Sequence, residues 1–155
     1  MKYWLMKTEP DVYGWDDLLA QPGRSDHWDG IRNYQARNFL RDMAVGDRVF
    51  FYHSRSKPPH IVGIARVVKT AYPDPTQFDA DSDYHDPKSD PDNPRWDMVD
   101  VAAVGAFDIP IPIDELRDTP GLENMELLRK GSRLSVQPVR PEEWAIICAL
   151  RPPID

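Results

Sequence analysis

The side chains best suited to chemistry lie close together in Trp28-Asp29-Gly30-Ile31-Arg32-Asn33-Tyr34-Gln35-Ala36-Arg37-Asn38, with Arg41 just beyond. A tryptophan face can stack on a planar ligand. A carboxamide such as Asn33 both donates and accepts, so it can read the polar edge of a base. Arginines hold phosphates. Asn33, Arg37 and Arg41 are spaced four apart and would share one stripe of a helix, opposite Phe39 and Met43. A helix start there would also offer free backbone N–H groups to an anion. The competing reading is a solvated polar helix face beside a core tryptophan. Convergence of a Trp, a Gly, an Asn and several Arg on one helix entrance favours a ligand. Trp28 is therefore expected to line a pocket together with the N-terminal end of the Asn33 helix.

A second patch is Phe50-Phe51-Tyr52-His53-Ser54. On a strand, Phe51 and His53 face one way and Phe50, Tyr52 and Ser54 the other. His53 and Ser54 then sit at a strand end, where ligand-facing polar groups often occur; a satisfied His at a sheet rim is the alternative. Adjacent strand residues point apart, so these two are not part of a triad. Asp79, Asp81 and Asp83 match the first oxygen positions of a calcium loop, but Tyr84 stands where Gly is needed and Asp90 where Glu is needed. His27, His53, His60 and His85 show no metal-ligand spacing, and one Cys excludes a Cys-rich zinc site. No Gly-rich phosphate loop, G-x-S-x-G or H-E-x-x-H motif occurs. Neither a catalytic set, a metal nor a cofactor is expected.

These residues need elements to position them. Tyr3 to Lys7 reads as a short buried strand ended by Glu9-Pro10, and Trp15 to Ala20 as a short helix before the turn Pro22-Gly23. Tyr34 to Met43 reads as a helix, with Ala36, Phe39, Leu40 and Met43 on one face and Asn33 as N-cap. Arg48 to Ser54 and Ile61 to Thr70 form a hairpin across Arg55 to His60. Trp96 to Phe107 is a third long strand, and Arg133 to Val139 a fourth. Short helices are expected at Ile113 to Arg117 and Leu122 to Leu128. A final helix opens at Pro141, with Glu142 and Glu143 in its first turn. Runs of strands with helices at the ends indicate α+β, a curved sheet or small barrel plugged by helices.

The 155 residues fit a single domain, residues 1–155, without internal repeats. No apolar run is long enough to span a bilayer, and the lone Cys148, in an apolar helical run, suits a core position in a reducing, cytoplasmic setting. The net charge of −7 is concentrated. Seven Asp and one Lys fall between Pro73 and Pro94, whereas Arg24 to Lys57 carries seven basic and four acidic residues. A local basic face is thus compatible with a nucleic-acid partner. The acidic Pro-rich loop at about 73–95, with only Phe78 and Tyr84 as apolar anchors, is expected to be mobile or loosely packed.

Trp4-Leu5-Met6-Lys7-Thr8-Glu9-Pro10, the Trp28 to Asn38 run, Phe50 to Ser54, Tyr72-Pro73-Asp74 and Arg133-Leu134-Ser135-Val136-Gln137-Pro138 together resemble the EVE domain in its bacterial form. That family lies within the PUA-like superfamily, which also holds YTH and ASCH domains. The resemblance covers nearly the whole chain. It implies a PUA-like pseudo-barrel (a beta barrel in outline) of about five to six mostly antiparallel strands with short helices at the ends. It also implies a monomeric, non-enzymatic reader of a modified base, 5-methylcytosine-like in DNA or a modified base in RNA, held in an aromatic pocket. By the same resemblance Trp28 stacks on the base, Asn33 bonds its edge, Lys7 and Thr8 form a wall, and Trp96 is a second cage wall. Gly30, Arg32, Tyr34, Arg37, His53 and Ser54 complete the expected ligand-binding set, with Arg32, Arg37 or Arg41 on phosphates. Two alternatives stay open: an ASCH-type hydrolase of modified nucleosides, with Lys7, Glu9 and Asp29 as its candidate groups, and a sensor of a free nucleoside or anion.

Overall fold

In a computed structural model, which describes residues 1–154, the chain forms a mixed sheet with short helices against both faces. Its strands are β1 (Tyr3–Thr8), β2 (Ser25–Trp28), β3 (Arg48–His53), β4 (His60–Pro73), β5 (Asp97–Pro112), β6 (Val136–Val139) and β7 (Pro153–Ile154). Its helices are α1 (Trp15–Leu19), α2 (Tyr34–Asp42), α3 (Ile113–Arg117) and α4 (Pro141–Leu150). The hydrogen-bonded order is β2-β5-β4-β3-β1-β6, with β7 added to β5. Among the described residues, only β1 and β3 pair in parallel.

The central strands are apolar on consecutive residues because both of their faces are covered. Val49 and Phe51 of β3 join Trp4, Met6, Trp15, Trp28 and Leu40 in one core cluster. Phe50 and Tyr52 join Leu5, Ile61, Leu116 and Ile147 in the other. β4 and β5 pair over most of their length with four register shifts. Such bulges bend and twist the ladder, so the sheet curls. Gly63 permits a close approach of backbone and ring at one of these shifts. A Cβ there would lie 2.8 Å from both the Gly105 carbonyl and the Trp15 ring.

The α+β class and the hairpin of β3 and β4 agree with the sequence. Four details differ. The sheet is not a closed barrel, because no ladder joins β6 to β2 among the described residues. Ser25–Trp28, where the sequence predicts no strand, is an edge strand on β5. Leu122 to Leu128 is not a helix; only Glu126–Leu128 makes a 3-10 turn. The strand expected from Arg133 begins at Val136. The edge strand forms by pairing with β5 more than seventy positions away, and Arg133 to Ser135 lie outside the β1–β6 register, which ends at Val136. Cys148 is half-buried against the second core cluster, and burial raises its thiol pKa.

Among the described residues, no helix is long and apolar enough to cross a membrane.

Candidate nucleic-acid interface

The open margin of the sheet leaves a cleft between the ends of β1 and β2. Thr8, Val12, Tyr13, Asp26, Trp28, Asp29 and Tyr84 line one chamber of about 260 Å³. An adjoining chamber of about 270 Å³ shares Thr8, Val12, Trp28, Asp29 and Tyr84, and adds Lys7, Gly30 and Ser135. Trp28 ends β2 and is only 8% exposed. Its ring meets Phe51 edge-on at 5.3 Å between centroids. It therefore belongs to the core on one side and floors the cleft on the other.

Carboxylates ring the same space. Tyr13 donates its hydroxyl to Asp26 at 2.6 Å, and burial followed by that bond raises the phenol's pKa. Burial, reinforced by the charge of Asp74, pushes the Asp29 carboxyl above its usual range. Lys7 is shifted down by burial, against the pull of Glu126. Thr8 donates to the Tyr13 carbonyl at 2.8 Å, which fixes the loop carrying Val12 and Tyr13. The cleft thus joins aromatic and apolar faces to acceptor oxygens.

The acidic loop supplies the far wall and is well anchored, contrary to the expectation of loose packing. Asp74 is fully buried and accepts from the N–H groups of Gly30 (2.9 Å) and Thr76 (2.8 Å), and from Arg32 (3.1 Å). Burial alone would raise its pKa; those bonds outweigh it and lower it. Gln77, also fully buried, donates to the Trp96 carbonyl and accepts from its N–H and from Ser89. Trp96 donates its indole N–H to Asp86 at 2.7 Å. Polar bonds replace the missing apolar anchors, a route to order that composition does not reveal. Tyr84 is thereby held over Gly30, whose φ is +81°. An added Cβ at Gly30 would lie 2.7 Å from the Tyr84 ring. Gly30→Ala is expected to cost roughly 1–3 kcal/mol through left-handed strain and to push Tyr84 off the cleft. Urea midpoints report the first effect and oligonucleotide affinity the second.

Trp28, Thr8, Lys7 and Gly30 do meet at this cleft; the other expected residues lie elsewhere. Asn33 is the N-cap of α2, its Oδ1 accepting from Ala36 N–H at 2.9 Å, and it lines a separate groove. The N-terminal end of α2 therefore does not line the Trp28 cleft. Trp96, expected as a second cage wall, is not among the residues lining this cleft and is buried under Tyr34, with ring centroids 4.8 Å apart. Arg37 covers Tyr34 and donates to the Arg95 carbonyl. Arg32 is spent on Asp74, Thr76 and the Tyr84 carbonyl, and Arg41 on Asp97. Ser54 donates its N–H to the Thr8 carbonyl, extending the pairing of β1 with β3. Tyr13, Val12, Asp26 and Tyr84 were missed. Of these, Tyr84 carried a signal, as one of two apolar anchors, with Phe78, in the acidic loop.

His53 is committed to the fold. Its Nε2 accepts from Trp15 N–H at 3.1 Å, and its Nδ1 meets His60 Nε2 at 3.1 Å. Burial, followed by the His60 charge, lowers its pKa to about 4. The neutral ring is the folded form, so its contribution is complete above the ordinary value near 6.5 and is lost as pH falls toward 4. Wild type is expected to lose stability between pH 7 and 4.5 more steeply than His53→Gln, as read from urea midpoints.

Among the described residues, no group of three or more His, Cys, Asp or Glu is placed to hold a metal ion.

Comparison with known proteins adds to this geometry. The EVE domain profile matches residues 2–150. Human thymocyte nuclear protein 1 is 45% identical over 165 aligned residues, covering 96% of this chain and 73% of that protein. A crystal structure from Pseudomonas putida is 52% identical with a TM-score of 0.91, covering 96% of this chain and 98% of that one. The crystal structure of human THYN1 protein in complex with 5-methylcytosine-containing DNA is 44% identical with a TM-score of 0.92, covering 97% of each chain. On sequence and fold alike, the chain belongs to the EVE domain family.

Proposed function

We propose that this chain binds DNA carrying a modified base of the 5-methylcytosine kind, and that the base enters the Trp28 cleft after leaving the helix stack. The observation that carries this reading is the meeting of Trp28, Tyr13 and Tyr84 with the Asp26 and Asp29 carboxylates in one nucleobase-sized space. A cytosine ring needs a stacking face and an acceptor for its exocyclic amino group, and a carboxylate accepts from that amine. A 5-methyl group needs a dry wall, which Val12 and the aromatic rings offer. The relative solved with 5-methylcytosine-containing DNA supports the same assignment.

Each base stack on an aromatic side chain is worth roughly 1–3 kcal/mol. Burying one extra methyl adds about 0.8 kcal/mol, close to a four-fold preference. Matched duplexes differing in one methyl should therefore separate by about four-fold or more. Asp29→Ala should weaken both duplexes and leave that ratio standing, since it removes an amine acceptor and not a methyl contact. Mass spectrometry of the recovered oligonucleotide should show it unchanged; a released base or altered nucleoside would favour the hydrolase reading instead.

A further inference from the structure

Extruding a base from a duplex costs a few kcal/mol, about as much as its stack returns. Contacts to the flanking phosphates must make up the difference. Arg32, Arg37 and Arg41 are committed within the protein. A different cationic surface lies beside the cleft. The turn from Arg129 to Arg133 and the start of α2 enclose an open groove of about 310 Å³, lined by Asn33, Gln35, Arg129, Lys130, Ser132 and Arg133 among others. Glu126 lies 3.6 Å from Arg129 and accepts from the Ser132 hydroxyl, so it tempers Arg129. Lys130 and Arg133 are exposed and pair with no carboxylate among the described residues.

The groove and the cleft are continuous along the chain. Leu134 lines the first and Ser135 the second, and Ser135 accepts from Lys7 N–H at 2.8 Å. Two residues of extended chain span at most about 7 Å, which is one or two nucleotide steps at roughly 3.4 Å of rise per strand. Asn33 also faces this groove. Its carbonyl oxygen is used in capping, and its amide N–H groups donate to no protein atom among the described residues.

We propose that Lys130 and Arg133, with the Asn33 amide, form a phosphate-binding groove that holds the nucleic-acid backbone next to the base in the Trp28 cleft. The inference rests on the reading of that cleft as a base site. Its partner is the phosphate backbone of the strand carrying the extruded base. The groove contributes affinity without sequence or methyl information, because a phosphate is the same beside every base.

The test measures binding of paired methylated and unmethylated duplexes to the full chain across a series of salt concentrations. Each phosphate contact contributes about 0.9 to the slope of log K against log salt. Lys130→Ala/Arg133→Ala should therefore flatten the slope by about 2, weaken both duplexes equally, and keep the methylated-to-unmethylated ratio. Lys130→Glu/Arg133→Glu should abolish detectable binding at physiological salt. Lys2→Ala, at the opposite end of β1 from Lys7, should leave the slope unchanged. Both altered positions are exposed turn residues, and an unchanged melting temperature confirms folding. An unchanged slope in both double variants overturns the groove while leaving the base site standing. A flattened slope in a protein whose wild type shows no methyl preference would keep the groove as a backbone site and overturn the base reading instead.

Discussion

Asp74→Ala is expected to remove roughly 3–5 kcal/mol of stability, the usual cost of deleting one partner of a buried ion pair. Asp74 has no exposed surface and serves Gly30, Thr76 and Arg32 together. Without it Arg32 loses its carboxylate partner and the Gly30 N–H its acceptor, at the junction of the acidic loop with the Trp28 segment. Asp74→Asn retains an acceptor and should cost less. Denaturant midpoints give the size of the loss. Amide exchange gives its place: protection in the 75–95 segment should fall first. Acid should act in the same direction, since a carboxylate whose folded pKa is depressed contributes fully above its ordinary range and loses that contribution as pH falls below it. Oligonucleotide affinity should decline with the loop, because Tyr84 is positioned through this carboxylate.

Trp28→Ala should produce the other large effect, on two separable quantities. Truncating a core aromatic costs roughly 3–5 kcal/mol of stability, and losing a base stack costs roughly 1–3 kcal/mol of binding. Trp28→Phe distinguishes them, because it keeps an aromatic face and most of the packing against Phe51. Its stability loss should be much smaller, with affinity between those of wild type and the alanine variant. Neither variant should change the slope of affinity against salt, because stacking releases no counterions. Titrations well below each variant's melting temperature keep the two quantities apart.

Features set by near neighbours were legible in the sequence. Asn33 was readable as an N-cap because capping depends on residues three apart, and α2 begins at Tyr34 as expected. The same cap engages the side-chain carbonyl of Asn33 that was expected to meet a base edge. Trp28 stands out in the sequence as a side chain suited to stacking, but its strand does not. Ser25, Asp26 and His27 look like loop residues, and their pairing with β5 spans over seventy positions. Arg32 illustrates the same limit, since its charge points to phosphate until Asp74 is found beside it. The acidic loop was misread because the Asp74, Gln77 and Ser89 network has no composition signature. The cleft's carboxylates were legible only in part: Asp29 was named only for the hydrolase alternative, whereas Asp26 meets Tyr13 across the intervening α1.

The most direct test of the central claim is the ratio of affinities for a 5-methylcytosine duplex and its unmethylated twin, in wild type and in Tyr84→Ala. Tyr84 is 37% exposed at the rim of the cleft, so its loss disturbs the wall without emptying the core. Wild type should prefer the methylated duplex by about four-fold or more, from the transfer free energy of one methyl. Tyr84→Ala should bring the ratio close to one while the salt slope stays fixed. A wild-type ratio of one, or a preference that survives both Tyr84→Ala and Trp28→Ala, would contradict the account.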